Sequence, residues 1–291
     1  MRPSGNNIVG VHGIAKQQLG RHQLREPWRR ALADGLERAA GRPLGLPPLD
    51  IAYYGDLFLP SGNGQMKAFD QAEWILSDVT SDELDMLTAS LAEMAIPMPP
   101  SDDPERLKGY TRSPLPLQVA LRAMDRRFGG TAGSLCLGEL RQVRRYLREP
   151  EIGAIARHRV GEMVDGRCRV LIGHSLGSVV ALDYLLRHPG SGVEVLITLG
   201  SPLGLSFIRH GLGQADAAAP APPDGVTWIN VRDPRDPVAC TSLLAHWPGI
   251  AELAVDNQTD AHAVERYLGK RETGEAVLTA LPQLATLGMT P

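Results

Sequence analysis

A strand-like run, Arg169-Val170-Leu171-Ile172, passes directly into Gly173-His174-Ser175-Leu176-Gly177 and then into a helical pattern that continues to Arg187. No other feature restricts the fold of this chain as tightly. The short apolar run reads as a buried strand, and the apolar spacing after it reads as a helix. Between them there is room only for a sharp strand-to-helix turn. Gly173 and Gly177 carry no Cβ, so backbone can close up on both sides of Ser175. In a glycine-rich chain the pattern G-x-S-x-G is modest evidence by itself. With a strand before it and a helix after it, it becomes specific.

The same alternation recurs along the chain. Asn7 to Val11 reads as a strand ended by His12-Gly13, and Arg25 to Ala40 as a helix stopped by Gly41 and Pro43. Leu49 to Tyr54 reads as a second strand. Ile152 to Val164 is helical, Val193 to Leu199, Val226 to Val231 and Ala251 to Val255 are strands, and residues 217–223 form a loop. Glu265 to Leu268 and Glu275 to Leu287 close the chain as helices. Apolar strands alternating with helices imply an α/β fold with a mostly parallel sheet flanked by helices. In such sheets, sites lie beyond the carboxyl ends of the strands.

Residues 56–150 interrupt this alternation inside what is expected to be one domain spanning 1–291. They carry helical patterns at Met66 to Leu76, Asp82 to Ala95, Leu117 to Phe128 and Leu135 to Leu147, separated by joints such as Pro97-Met98-Pro99-Pro100. Their charge is polarised. From 56 to 105, eleven acids stand against Lys67 alone; from 106 to 148, ten bases stand against Asp125 and Glu139. Two oppositely charged halves are suited to fold on each other. The insertion would serve as a cap over a site, or its 106–148 basic stretch would meet a protein partner or an anionic surface.

Composition removes several classes. The net charge of -3 argues against a nucleic-acid binder, which needs a basic surface. Three cysteines, Cys136, Cys168 and Cys240, fit neither a disulfide framework nor a zinc site. No signal-peptide core is visible and no run of about 18 apolar residues exists, so a cytoplasmic chain without a transmembrane segment is expected. The chain holds 31 glycines and 23 prolines, where usual proportions would give about 20 and 15, so many of them must shape turns.

A serine hydroxyl needs a base, usually histidine, oriented by a carboxylate. Among eight histidines, His262 lies in the loop after the last expected strand and is favoured over His246, which adjoins Trp247. The acid should follow the strand ending at Val231, where Asp233 and Asp236 both qualify. Asp236 is favoured because Pro237 carries the chain rigidly away from it, leaving Asp233 to brace the turn. Two backbone N–H groups would bind a developing oxyanion: that of Leu176, just after Ser175, and that of Ile14, in the loop turned by Gly13. His12 would shape that loop, and His174 would pack beside the turn.

Val11-His12-Gly13-Ile14, Gly173 to Gly177, Leu199-Gly200-Ser201-Pro202-Leu203, Asp236-Pro237-Val238 and the late His262 occur in one order along the chain. In this the chain resembles the α/β-hydrolase-fold serine hydrolases of the lipase/esterase kind. The resemblance implies a Ser175–His262–Asp236 triad, an acyl-enzyme intermediate, a small-molecule or lipid-like ester substrate, and no cofactor or metal. It extends over most of the chain outside 56–150; family lids more often follow a later strand. The same triad would serve amide, peptide or thioester cleavage, or acyl transfer. A non-catalytic binding protein on this fold is the reading from a different class.

Overall fold

In the computed structural model, which describes residues 7–14, 19–59, 80–94, 114–130, 132–213 and 223–286, the apolar runs pair as one all-parallel sheet. Its strands are β1 (Ile8–Val11), β2 (Leu49–Ala52), β3 (Val170–His174), β4 (Val195–Leu199), β5 (Thr227–Arg232) and β6 (Ala251–Ala254), in the order β2-β1-β3-β4-β5-β6. The chain leaves β1 toward one edge and returns at β3 to build toward the other. The carboxyl ends of β1 and β3 therefore lie side by side where the winding reverses, with Val11 in register with Gly173. A crevice at such a switch point is where α/β sheets hold ligands.

Helices cover both faces. They are α1 (Arg21–Ala40), α2 (Ser81–Met94), α3 (Leu115–Phe128), α4 (Ala132–Arg148), α5 (Pro150–Met163), α6 (Leu176–Arg187), α7 (Ser206–Gly211), α8 (Val264–Leu268) and α9 (Arg271–Ala280). Strand side chains alternate between two cores, as a period of two requires. Ile8, Ile51, Val170, Ile172 and Ile197 pack with Trp28, Leu32 and Leu36 of α1 and with Val277 of α9. Val9, Val11, Leu171 and Leu196 pack on the other face with residues of α2 to α6.

Several boundaries depart from the sequence pattern. Helix α1 begins at Arg21, ahead of the expected Arg25, because Gln23 Oε1 accepts from the Gly20 N–H at 2.8 Å and Arg21 pairs with Asp50 of β2. Strand β2 stops at Ala52, and a 3₁₀ turn over Gly55–Phe58 follows. The expected helix 275–287 is α9, ending at Ala280; Pro282 has no N–H to continue it and starts a 3₁₀ turn over Pro282–Thr286. Helix α7 occupies a stretch to which the sequence pattern assigns no element. The Met66 to Leu76 pattern, the Pro97 to Pro100 joint and most of the 217–223 loop lie outside the described residues.

The two charged halves of the insertion meet where Arg141 Nε of α4 donates to Glu83 Oε1 of α2 at 2.7 Å. Helix α4 is also fastened to the body. Asp183, buried in α6, accepts from the Tyr146 hydroxyl of α4 at 2.7 Å, from Arg157 Nη1 of α5 at 2.9 Å and from Arg187 Nε at 2.7 Å. One carboxylate thus joins three helices. Removing it leaves a largely buried guanidinium and a phenol without their acceptor. Asp183→Ala is expected to cost about 3 kcal/mol, read as a lowered urea midpoint; a change within about 0.5 kcal/mol would contradict this.

Candidate active site

Four loop regions converge beyond the carboxyl ends of the strands, and each has a local reason for its shape. Ser175 is the first residue past β3 and the N-cap of α6, with φ 54° and ψ -127°. Positive φ is costly for a residue with a Cβ and persists only where the surroundings impose it. Here the Ser175 N–H donates to the Leu199 carbonyl of β4 at 3.1 Å. The turn is also pressed against the exit of β1. A Cβ on Gly177 would lie 2.0 Å from the Val11 carbonyl oxygen, and one on Gly13 would lie 2.8 Å from Ser175 Cβ. Gly173 is closed in the same way by Ser178 backbone, 2.5 Å from where its Cβ would stand.

The β1 loop is braced by His12. Its Nδ1 donates to the Gly13 carbonyl at 2.7 Å, its Nε2 accepts from the Tyr54 N–H at 3.1 Å, and the Tyr54 hydroxyl donates to the His12 carbonyl. Gly13 therefore lies directly beside Ser175, and Ile14 follows it. Leu176 is the first residue of α6, where an N–H has no partner within the helix.

The loop after β5 turns at Asp233-Pro234-Arg235-Asp236, closed by the Asp236 N–H on the Asp233 carbonyl at 2.9 Å. Asp236 is fully buried and faces inward. His262 Nδ1 donates to its two oxygens at 2.9 and 2.8 Å, the Tyr267 hydroxyl donates to Oδ2 at 2.7 Å, and the Val238 N–H donates to Oδ1 at 2.8 Å. On its other side, His262 Nε2 lies 3.2 Å from Ser175 Oγ. Ser175, His262 and Asp236 thus form one hydrogen-bonded chain in which the hydroxyl can pass its proton to Nε2. Asp233 takes a bracing position. Its carboxylate accepts from the N–H of Arg235 and from that of Asn257 in the histidine loop. His246 stays near Arg209 and Glu93, while His262 is the histidine that meets Ser175.

Two contributors were not assigned from the sequence, and a third, His174, was assigned to packing alone. Tyr267, in α8, ties the acid loop together: its hydroxyl donates to Asp236 and accepts from the Asp233 N–H at 2.9 Å. A tyrosine five residues beyond the histidine was the available signal. His174 does more than pack, since its Nε2 donates to the His262 carbonyl at 2.9 Å. Glu139, in α4, is buried, with Oε1 3.6 Å from His262 Nε2. The linear pattern sets Glu139 and Asp125 apart as the acids of the basic stretch, and nothing in it says that Glu139 reaches the histidine.

Burial disfavours the His262 cation, but Asp236 and then Glu139 outweigh it and hold the imidazole well above its usual value. Burial beside Asp236 also pushes the Tyr267 phenol far up, so it stays a donor. Among the described residues, no group of three or more His, Cys, Asp or Glu is placed to hold a metal ion. No helix among them is long and apolar enough to cross a membrane.

The chain matches no family model and no curated protein. A solved structure, the C-terminal domain of glucosamine-fructose-6-phosphate aminotransferase from Francisella tularensis, is similar over 94% of this chain and 84% of that one, at 11% identity and a TM-score of 0.22. A likeness this slight carries no argument.

An opposite charge at hydrogen-bond distance accounts for the raised imidazole. Asp236→Asn is therefore expected to bring the His262 titration midpoint down by about 1–3 pH units, followed by NMR of the ring protons. An unmoved midpoint would contradict the assignment of Asp236 as its main partner.

Proposed function

We propose that the chain is a serine hydrolase on an α/β-hydrolase fold, cleaving carboxylic esters in the manner of lipases and esterases. The observation that carries this reading is the chain Ser175 Oγ–His262 Nε2, 3.2 Å, and His262 Nδ1–Asp236, built on a serine held at positive φ. A structural serine has no need of that backbone cost. A nucleophile gains from it, because the turn lifts Oγ toward the histidine and away from the helix.

In this mechanism Ser175 Oγ attacks the ester carbonyl carbon while its proton moves to His262 Nε2. The carbonyl oxygen becomes negative and is received by the N–H groups of Ile14 and Leu176, the second at the positive end of α6. Asp236 stabilises the imidazolium and keeps the ring oriented, assisted by Tyr267. Collapse breaks the carbon–oxygen bond, and His262 returns the proton to the leaving alcohol. Water, deprotonated by His262, then attacks the acyl-enzyme by the same route and frees Ser175.

Ser175 has no exposed surface, and α4 brings Glu139 alongside His262. In this reading the described helices of the insertion, α4 foremost, act as a cap over Ser175. The insertion's apolar residues Leu87, Leu91, Leu137 and Leu140 are buried in the core shared with the sheet. They support a fixed cap body more than a free apolar lid.

Ser175→Ala is expected to keep the fold, to lose labelling by a fluorophosphonate, and to lower turnover of a short-chain nitrophenyl ester by at least about 10⁴-fold. Stoichiometric labelling that persists in this variant would overturn the proposal.

A further inference from the structure

Glu139 stands apart from every other carboxylate at the site. Both its oxygens are buried, and among the described residues neither has a hydrogen-bond partner. Asp236, by contrast, accepts from an imidazole, a phenol and a backbone N–H. Among the described residues, the one charged neighbour of Glu139 is His262 Nε2, at 3.6 Å and shared with Ser175, and a buried carboxylate satisfied no better than that is costly to a fold. Replacement by an apolar side chain would relieve that cost, so the position calls for a donor supplied from outside.

The geometry says where that donor would sit. Glu139 Oε1 is 3.6 Å from His262 Nε2, the same nitrogen that lies 3.2 Å from Ser175 Oγ. Asp236 holds the opposite nitrogen, Nδ1. In ester cleavage at Ser175, Nε2 is the atom that hands a proton to the departing oxygen. Glu139 thus borders the leaving-group side, within reach of an atom two or three bonds beyond that oxygen. The site already holds two carboxylates around one imidazole, so a positively charged donor balances it better than a neutral one.

We propose that Glu139 is a specificity-determining residue that binds a protonated amine on the leaving alcohol of the substrate. This rests on the serine-hydrolase reading above and deepens it: the substrates are esters of amino alcohols, with the ammonium two or three bonds from the ester oxygen. Pairing also has a consequence for the base. When the ammonium engages Glu139, one of the two negative charges that favour the His262 cation is neutralised, and the neutral imidazole needed for attack becomes easier to reach. Substrate with the right group would thereby prepare its own base.

The test uses two butyrate esters of matched shape, one of 2-(dimethylamino)ethanol, protonated at neutral pH, and one of 3-methylbutanol. The wild-type protein is expected to favour the cationic ester in kcat/KM by about 10- to 100-fold, the span of a charge-assisted hydrogen bond. Glu139→Gln and Glu139→Leu should each collapse that ratio toward one. An unchanged ratio in both variants would overturn the proposal. A second measurement removes turnover from the question. Calorimetry on Ser175→Ala should show the cationic ester binding more tightly than the neutral one, and adding Glu139→Gln should abolish the difference. Equal binding of the two esters to Ser175→Ala would count against Glu139 as the amine's partner. A binding preference with no Ser175-dependent turnover would uphold the Glu139 site and overturn the hydrolase reading instead.

Discussion

Ser175 sits in a backbone conformation that side-chain-bearing residues avoid, and contact with the end of β1 leaves it no alternative. The Val11 carbonyl oxygen lies where a Cβ of Gly177 would stand, and Gly13 meets the Ser175 Cβ itself. Strand β1, strand β3 and helix α6 are thereby packed at backbone distance. The remainder of the site follows from that contact. The β1 loop sets Gly13 against the serine, Leu176 opens α6, and the Leu199 carbonyl of β4 anchors the serine N–H. The local strain is offset by the packing of strands β1 to β4, every residue of which is buried.

Around this point the polar groups form a nested set. Tyr267 links the backbone at Asp233 to the carboxylate of Asp236, Asp233 reaches across to Asn257, and His174 holds the His262 carbonyl. The histidine loop is therefore tied to the acid loop and to the serine turn before the imidazole makes any contact of its own. Such support restricts the ring to the orientation in which one nitrogen faces Asp236 and the other faces Ser175. Among the described carboxylates of the site, Glu139 lacks this kind of satisfaction, and it comes from the insertion rather than from the sheet. The sheet supplies the general machinery, and the insertion supplies the group that would discriminate.

Much of the sheet could be read from the chain because buried parallel strands are short apolar runs, and those at 7–11, 169–172, 193–199, 226–231 and 251–255 each found a place in it. The residues brought together at the site were legible for a related reason. Ser175, Asp236 and His262 each stand just past a strand, where an α/β sheet leaves side chains free to converge. What was not legible depended on packing between distant segments. The start of α1 is set by contact with Asp50, and the end of α9 by Pro282. Glu139 lies in a helix of the basic stretch; the packing of Leu137, Leu140 and Val143 in the core and the docking of Tyr146 on Asp183 go with an acid that faces inward.

The central claim is that the Ser175 hydroxyl becomes acylated. Intact-mass spectrometry of the wild-type protein, acid-quenched within the first turnover on a nitrophenyl ester, tests it most directly. The account predicts a mass increase equal to one acyl group, located by peptide mapping on the fragment that contains Gly173 to Gly177. Acylation confined to another residue, or ester cleavage with no covalent adduct under conditions that trap one, would contradict it.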